Sequence, residues 1–494
     1  MPNMLSILWL AVGALLNLFA GGKWAIPIAA WLAPVFLLHF ARTRSRAAGM
    51  VWLWLVLFAT YFWAYLGVIP APPLVTLAIS AVIALASVLP FAADRLIAPR
   101  IPGFISTLVF PLAWAVLDFA AARLSPYGTW GSLAYTQYGN LPLMQLASVT
   151  GTPGIAFLIA WFASVVNWAK SRNFDWSMIR AGLVIYAVAW SVVMIAGGAR
   201  LVFGHVPEKS VRSATIGWPE GAITQTDYLR ALDPELPSDR RDKLRVAFRR
   251  IHDYFLDASR REARAGAKVI VWPEANVMVF QEDEPAFLER AEQLAREEHI
   301  HVLMGVAKVY PGIARPFENK AVLIDPAGLV ALSYVKAIPV PGFEARISRR
   351  GEPHILTHES PYGRIALAIC YDLDFPHYIR QVGAANADLL LVPASDWEAI
   401  KLLHHVSAVF RAIENGVSML RATRWGLSAA VDPYGRVLGQ LDPFVAGGQA
   451  LVVQVPMGGV RTIYTVFGDW FGWLSLAGLL ALLLWGGWIA RRNH

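Results

Sequence analysis

The chain has 494 residues, of which 56% are hydrophobic, and its mean hydropathy is +0.47. That apolar share exceeds what a soluble domain carries, and 20 Trp add side chains that favour a membrane–water interface, so the sequence reads as a membrane protein. One Cys excludes an intrachain disulfide and any multi-cysteine zinc or iron–sulfur centre, and the net charge of +8 does not by itself imply nucleic acid.

A membrane-spanning helix needs about 20 mostly apolar residues. Seven such stretches precede residue 201, at roughly 4–20, 24–41, 50–68, 72–92, 104–123, 153–171 and 178–198. The first lacks a basic leader and a small-residue cleavage site, so it reads as a retained helix rather than a signal peptide. One set of loops and ends holds Arg42, Arg44, Arg46, Arg95, Arg100, Lys170, Arg172, Arg180, Arg491 and Arg492; the opposite set holds only Lys23 and Arg123. The bias predicts cytoplasmic termini. It also accounts for "ARTRSR" without a nucleic-acid partner. "PAPP" at 70–73 reads as a tight turn between spans. Asp118, one turn before Arg123 in span five, reads as half of a local ion pair. In the loop after that span, Trp130 and Tyr135 read equally as a headgroup belt or as part of a lipid entrance.

Residues 201–465 carry most of the charge and change rhythm. "SVRSATIGW", "AKVIVWPE", "HVLMGVAKVY", "NKAVLIDPAG", "GRIALAICYD", "ADLLLVPASDW" and "NGVSMLRATRWGLSAAVDPYGRVLGQL" read as strands or strand pairs. "SDRRDKLRVAFRRIHDYFLDASRREARAG", "PAFLERAEQLAREEH" and "HHVSAVFRAIE" read as amphipathic helices. "DPAG" and "DPYG" are hairpin turns. Strands alternating with helices predict an α/β layered domain. His404 and His405 read as a solvated helix start, because adjacent histidines point different ways. An eighth apolar stretch closes the chain at roughly 466–490. The expected division is therefore 1–200 transmembrane, 201–465 extracytoplasmic, and 466–494 a last span with a cytoplasmic tail.

Three polar residues stand at the ends of strand-like runs, where α/β folds assemble sites. Glu274 ends "VIVWPE", Lys336 ends "LVALSYVK" and Cys370 ends "IALAIC". A free thiol is mostly protonated near pH 7. A carboxylate within reach accepts its proton, and an ammonium favours the thiolate. The same ammonium and the backbone N–H after Cys370 suit a tetrahedral oxyanion. Together they point to acyl transfer through a thioester, if the three meet.

"VIVWPEANV", "YVKAIPVPGFE" and "LAICYDLDFP", in that order, resemble the carbon–nitrogen hydrolase (nitrilase) superfamily. With eight spans and a domain inserted before the last, the chain resembles the apolipoprotein N-acyltransferase family, as do "SPYGTWGSLAYTQ" and "RAIENGVSMLRATRWGLSAAVDPYGRV". The resemblance implies a membrane bundle carrying an αββα sandwich on the periplasmic side of the inner membrane. It implies Glu274 as general base, Cys370 as nucleophile and Lys336 as oxyanion stabiliser, with Glu344 a second acid and Tyr371 shaping the pocket. Asp372 stands where the family usually has glutamate. The implied reaction takes an acyl group from a phospholipid, typically phosphatidylethanolamine, to the amine of a diacylglyceryl-cysteine lipoprotein. No metal or soluble cofactor and no second subunit is implied.

Other differences bear on substrate handling. "VPGFE" transposes the family's Pro-Phe-Gly-Glu order, and only four residues separate Glu344 from "RRGEP", where the family has a longer apolar loop. "ASDWEAIKLLHH" replaces an Asn-Asp-Ala-Trp-Phe type of segment. A membrane-bound amidase or an acyltransferase for another amine stays open on these grounds. A receptor or transporter with an inactive nitrilase-like domain is disfavoured by spans holding few charges and no repeat between halves.

Overall fold

The computed structural model describes residues 4–492 except 206, 220–224 and 234. It divides into two compact units: Met1–Gly204 with Phe467–His494, and His205–Val466.

The first unit is built of helices joined by turns and loops, as its long apolar runs dictate. All eight expected stretches form helices. Six of the described helices are long and apolar enough to cross a membrane: Ala47–Tyr65, Pro73–Arg100, Phe104–Leu124, Thr152–Lys170, Trp176–Phe203 and Trp470–Arg492. The first two expected spans are shorter, Met4–Leu18 of 15 residues and Pro27–Thr43 of 17. At 1.5 Å per residue these reach only about 22–26 Å. The break falls where Gly21 and Gly22 lead into a 3-10 turn and Pro27 starts the next helix.

Several polar side chains inside this unit find partners within it, as most buried polar groups do. Asn17 donates to Thr60 at 2.7 Å, and Arg42 grips Asp94 with two nitrogens at 2.8 Å. The expected Asp118–Arg123 pair does not form. Asp118 accepts from the Ser132 hydroxyl at 2.6 Å, while Arg123 pairs with Asp469. Asp469 lies far along the chain, at the start of the last helix, and outcompetes the sequence neighbour.

The second unit contains two β-sheets. The larger has seven strands. Its centre is parallel: Ser210–Thr215, Val269–Val271 and His301–Val309 lie side by side. Phe317–Ile324 and Val330–Val335 extend it as an antiparallel hairpin, and Leu451–Pro456 closes the other edge. Val277–Phe280 pairs with the far half of His301–Val309. The smaller sheet repeats the plan. Gly363–Leu367, Leu389–Ser395 and Ser418–Arg424 are parallel, flanked by Thr357–Ser360 on one side and by Ser428–Val431 and Val437–Leu441 on the other.

Parallel strands are covered on both faces, which is why "VIV" and "LLLV" are unbroken apolar runs. The two sheets share one core, in which Val271, Leu303 and Leu323 pack with Leu367, Leu391 and Leu420. Helices Ser238–Arg264 and Glu284–Glu298 cover the outer face of the larger sheet through Phe255, Phe287 and Leu294. Helices Pro376–Ala384 and Lys401–Asn415 lie against the smaller sheet, making four layers, αββα. The strands Val277–Phe280, Thr357–Ser360 and Leu451–Pro456 and the helix Pro376–Ala384 go beyond the elements expected from pattern; the strands are short, and Thr-His-Glu-Ser has no apolar alternation to reveal it.

Candidate active site

The carboxyl ends of parallel strands in the two sheets deliver Glu274 and Cys370, as open α/β sheets do, and Lys336 follows the antiparallel edge strand Val330–Val335. After Val269–Val271 the chain turns through Trp272 and Pro273 to Glu274, whose backbone N–H donates to Ala394 O in the other sheet at 3.2 Å. Gly305 makes this turn possible. A Cβ there would sit 2.0 Å from Pro273 O, so no side chain fits beneath the Glu274 loop. Cys370 follows Gly363–Leu367 and opens a 3-10 turn, Cys370–Asp374. Its φ of +46° is left-handed, as are those of Ala275 (+50°) beside Glu274 and Trp425 (+56°) beside Arg424. Left-handed backbone at non-glycine residues costs free energy and concentrates at functional sites.

Lys336 lies at the centre. Its ammonium donates to Glu274 Oε1 at 2.8 Å and to Glu344 Oε2 and Oε1 at 2.9 and 3.0 Å. Asn319 Nδ2 bridges the same two acids, at 2.7 Å from Glu274 Oε1 and 3.0 Å from Glu344 Oε1. Glu344 also accepts from Val340 N–H at 2.7 Å. Burial pushes the Lys336 ammonium down, but Glu274, Glu344 and the Cys370 sulfur hold it well above the ordinary lysine value. It is therefore a fixed cation. Burial and the Glu274 carboxylate push the Cys370 thiol well up, against a downward pull from Lys336. The resting sulfur is a neutral thiol, and its S–H points to Ser395 O at 3.7 Å.

Glu274, Lys336, Glu344 and Cys370 line one cavity of about 280 Å³, together with Asn319, Ser395, Arg424 and an apolar rim that includes Leu229, Phe343 and Trp425. Of the other residues singled out in the sequence, Tyr371 is buried and packs edge-on against Phe375, ring centroids 5.4 Å apart. Asp372 faces inward, accepting from the Tyr334 hydroxyl at 2.6 Å and from the N–H groups of Ile338 and Ile369 at 3.0 Å. Burial raises its carboxyl to about 7 despite these donors. It braces the Cys370 turn against the loop that follows Lys336. Trp130 and Tyr135 belong to the helical unit, where Tyr135 OH lies 2.5 Å from Thr129 Oγ1.

His404 and His405 are buried, not solvated. The reason is tertiary: the Lys401–Asn415 helix lays its first turn over the loop after Leu389–Ser395. His404 Nδ1 meets Asp396 Oδ1 at 2.6 Å, and Arg421 Nη2 donates to both Asp396 oxygens at 2.9 and 2.8 Å. Burial raises the Asp396 carboxyl, but Arg421 and His404 more than offset it and hold it below the usual carboxylate range. The Cys370 sulfur, an Asp396 oxygen and a His404 nitrogen lie within 4.8 Å of one another, a donor set of the kind that binds metals; here both Asp396 oxygens already accept from a guanidinium. Sequence reading missed Asn319, Arg421 and Arg424. The available signal was a set of polar side chains within a strand-like run, as in "FENKAVLI" and "SMLRATR".

A buried thiol, two carboxylates and an ammonium thus meet at one cavity of an αββα sandwich, and the residues that form it lie almost wholly within 244–464, which match the family model described as carbon-nitrogen hydrolase. Residues 12–165 match a second model, the apolipoprotein N-acyltransferase N-terminal domain. Relatives share both parts. The apolipoprotein N-acyltransferase of Geobacter metallireducens is 29% identical over 76% of this chain and 73% of its own. That of Azotobacter vinelandii is 27% identical over 99% and 95%. An amidase of Nesterenkonia sp. matches 51% of this chain and 93% of its own at 24% identity and a TM-score of 0.40. This chain belongs to the apolipoprotein N-acyltransferase family.

Proposed function

We propose that this protein moves an acyl chain from a glycerophospholipid, phosphatidylethanolamine above all, to the N-terminal amine of a diacylglyceryl-cysteine lipoprotein. The supporting observation is the Lys336 ammonium clasped by Glu274 and Glu344 in the cavity that also exposes the sulfur of the chain's one cysteine.

The chemistry follows from the protonation states. Because the Cys370 thiol is neutral, its proton must leave during attack, and Glu274 is the carboxylate that takes it. The sulfur adds to the ester carbonyl. The oxyanion is met by the Lys336 ammonium and the Tyr371 N–H. Glu274 returns the proton to the departing glycerol oxygen as the C–O bond breaks, leaving lysophospholipid and a thioester. In the second half the lipoprotein amine adds to the thioester and Glu274 takes a proton from it. The C–S bond breaks, the amide forms, and the sulfur is reprotonated. Glu344 balances the ammonium and keeps it from drawing Glu274 out of line. The apolar rim of the cavity limits the access of water to the thioester.

In this reading eight helices cross the inner membrane, both termini are cytoplasmic, the 205–466 unit works in the periplasm, and a monomer suffices. The positive-inside bias supports that orientation. The test uses detergent-purified protein, phosphatidylethanolamine and a diacylglyceryl-cysteine peptide. Intact-mass analysis should give an acyl adduct on Cys370 that hydroxylamine removes and that the peptide discharges as an amide. Absence of the adduct with an unmodified peptide, or equal transfer by Cys370→Ser, overturns the proposal.

A further inference from the structure

Arg424 is the last residue of the strand Ser418–Arg424, and its side chain lines the same cavity as Cys370. It is only 5% exposed, yet its guanidinium has no hydrogen-bond or ion-pair partner among the described residues, and its Nε is buried and unsatisfied. The group is held by ring faces instead: it lies 4.0 Å from the centre of the Trp218 ring, 3.9 Å from that of Trp425 and 6.0 Å from that of Tyr228. Burial without a facing carboxylate pulls it down to about 10. The other cavity cation, Lys336, is already engaged by two carboxylates. Burying a charge without a counterion is costly, and stacking on rings recovers only part of that cost.

Its placement relative to the nucleophile is fixed by strand register. Arg424 pairs with Ser395 across adjacent parallel strands, and Ser395 O is the acceptor for the Cys370 thiol. In a glycerophospholipid the sn-1 ester carbonyl and the phosphodiester sit at the two ends of one glycerol unit, with the second ester between them. A lipid whose ester reaches Cys370 therefore carries its phosphate into the neighbourhood of this guanidinium. The planar fork of an arginine matches two phosphate oxygens at once.

We infer that Arg424 is the binding site for the phosphodiester of the acyl donor, and so the residue that selects phospholipids over neutral acyl esters. This rests on the acyl-transfer reading above. An incoming phosphate supplies the missing anion, and Trp218 and Trp425 hold the guanidinium plane ready for it. A stretch of rim that includes Leu229 and Phe343 is left to the acyl chain.

The test compares full-length wild type, Arg424→Gln and Arg424→Lys in detergent, with Cys370 acylation read by intact mass. The two donors are phosphatidylethanolamine and a neutral p-nitrophenyl acyl ester of the same chain length. Charge-assisted hydrogen bonds of this kind translate to about 10- to 100-fold, so Arg424→Gln should lower kcat/KM for the phospholipid that much more than for the neutral ester. The change should fall chiefly in KM, with Arg424→Lys intermediate. Glycerophosphoethanolamine should inhibit wild type and not Arg424→Gln; inhibition by inorganic phosphate alone would assign the site to free phosphate. Equal losses on both donors would make Arg424 a structural clamp for the tryptophans and overturn the inference, as would no loss on either. Wild type that accepts the neutral ester but never phospholipid fails the acyl-transfer reading itself, a result seen before any variant is made.

Discussion

Replacing Lys336 with Met keeps the length of the side chain and removes its charge. Two carboxylates then face each other with only Asn319 between them, each within 3.0 Å of the same nitrogen. Like charges about 4 Å apart repel by about 4 kcal/mol at an effective dielectric near 20, and breaking a buried ion pair by removing one partner costs about 3–5 kcal/mol. One of the acids should respond by holding a proton at neutral pH. Its folded-state pKa then lies above the unfolded value. Its stabilising contribution is full below the ordinary carboxylate range and is lost as pH rises through the raised value. Lys336→Met should therefore unfold at lower denaturant than wild type at pH 8 and recover part of the gap on acidification. Adding Glu344→Gln removes the repulsion and should restore stability without restoring Cys370 acylation. That reaction should stay about 100- to 1000-fold down for want of its oxyanion partner. Denaturant titrations of the purified protein at two pH values, with acylation read by mass, test every part. A single variant as stable as wild type at pH 8, or a double variant that regains activity, would refute the reasoning.

Three more outcomes follow from the geometry. Glu274→Gln removes the carboxylate that helps keep the Cys370 thiol high, so iodoacetamide should alkylate Cys370 faster at pH 8 while acyl transfer falls at least about 100-fold; slower alkylation would contradict the assigned electrostatics. Asp372 titrates near 7 when folded, above its unfolded value, so it stabilises most below about pH 4 and loses that contribution as pH rises toward 7. Asp372→Asn should remove this slope from the difference between the two unfolding curves measured at pH 5 and pH 7.5, and identical slopes would count against it. Gly305→Ala puts a methyl against Pro273 O and should cost about 1–3 kcal/mol by overpacking, with a larger loss of acylation than of stability because Glu274 rides on the displaced turn; an unchanged acylation rate would place Glu274 outside the reaction.

Composition and period fixed a good deal in advance. Apolar runs force helices where water is absent, and unbroken "VIV" and "LLLV" are what a parallel strand covered on both faces requires. The strand ends at Glu274, Lys336 and Cys370 were legible because a polar residue closing an apolar run has few other places to go. Tertiary structure alone decided the partners. Asp118 took Ser132 and left Arg123 to Asp469, and His404 turned inward onto Asp396, because a side chain binds whatever group the fold brings within 3 Å, and sequence distance carries no information about that. Asn319 and Arg424 became visible for the same reason: each is an ordinary polar residue in its own strand, and becomes a bridge between two acids or an unanswered charge only when two sheets meet at one cavity.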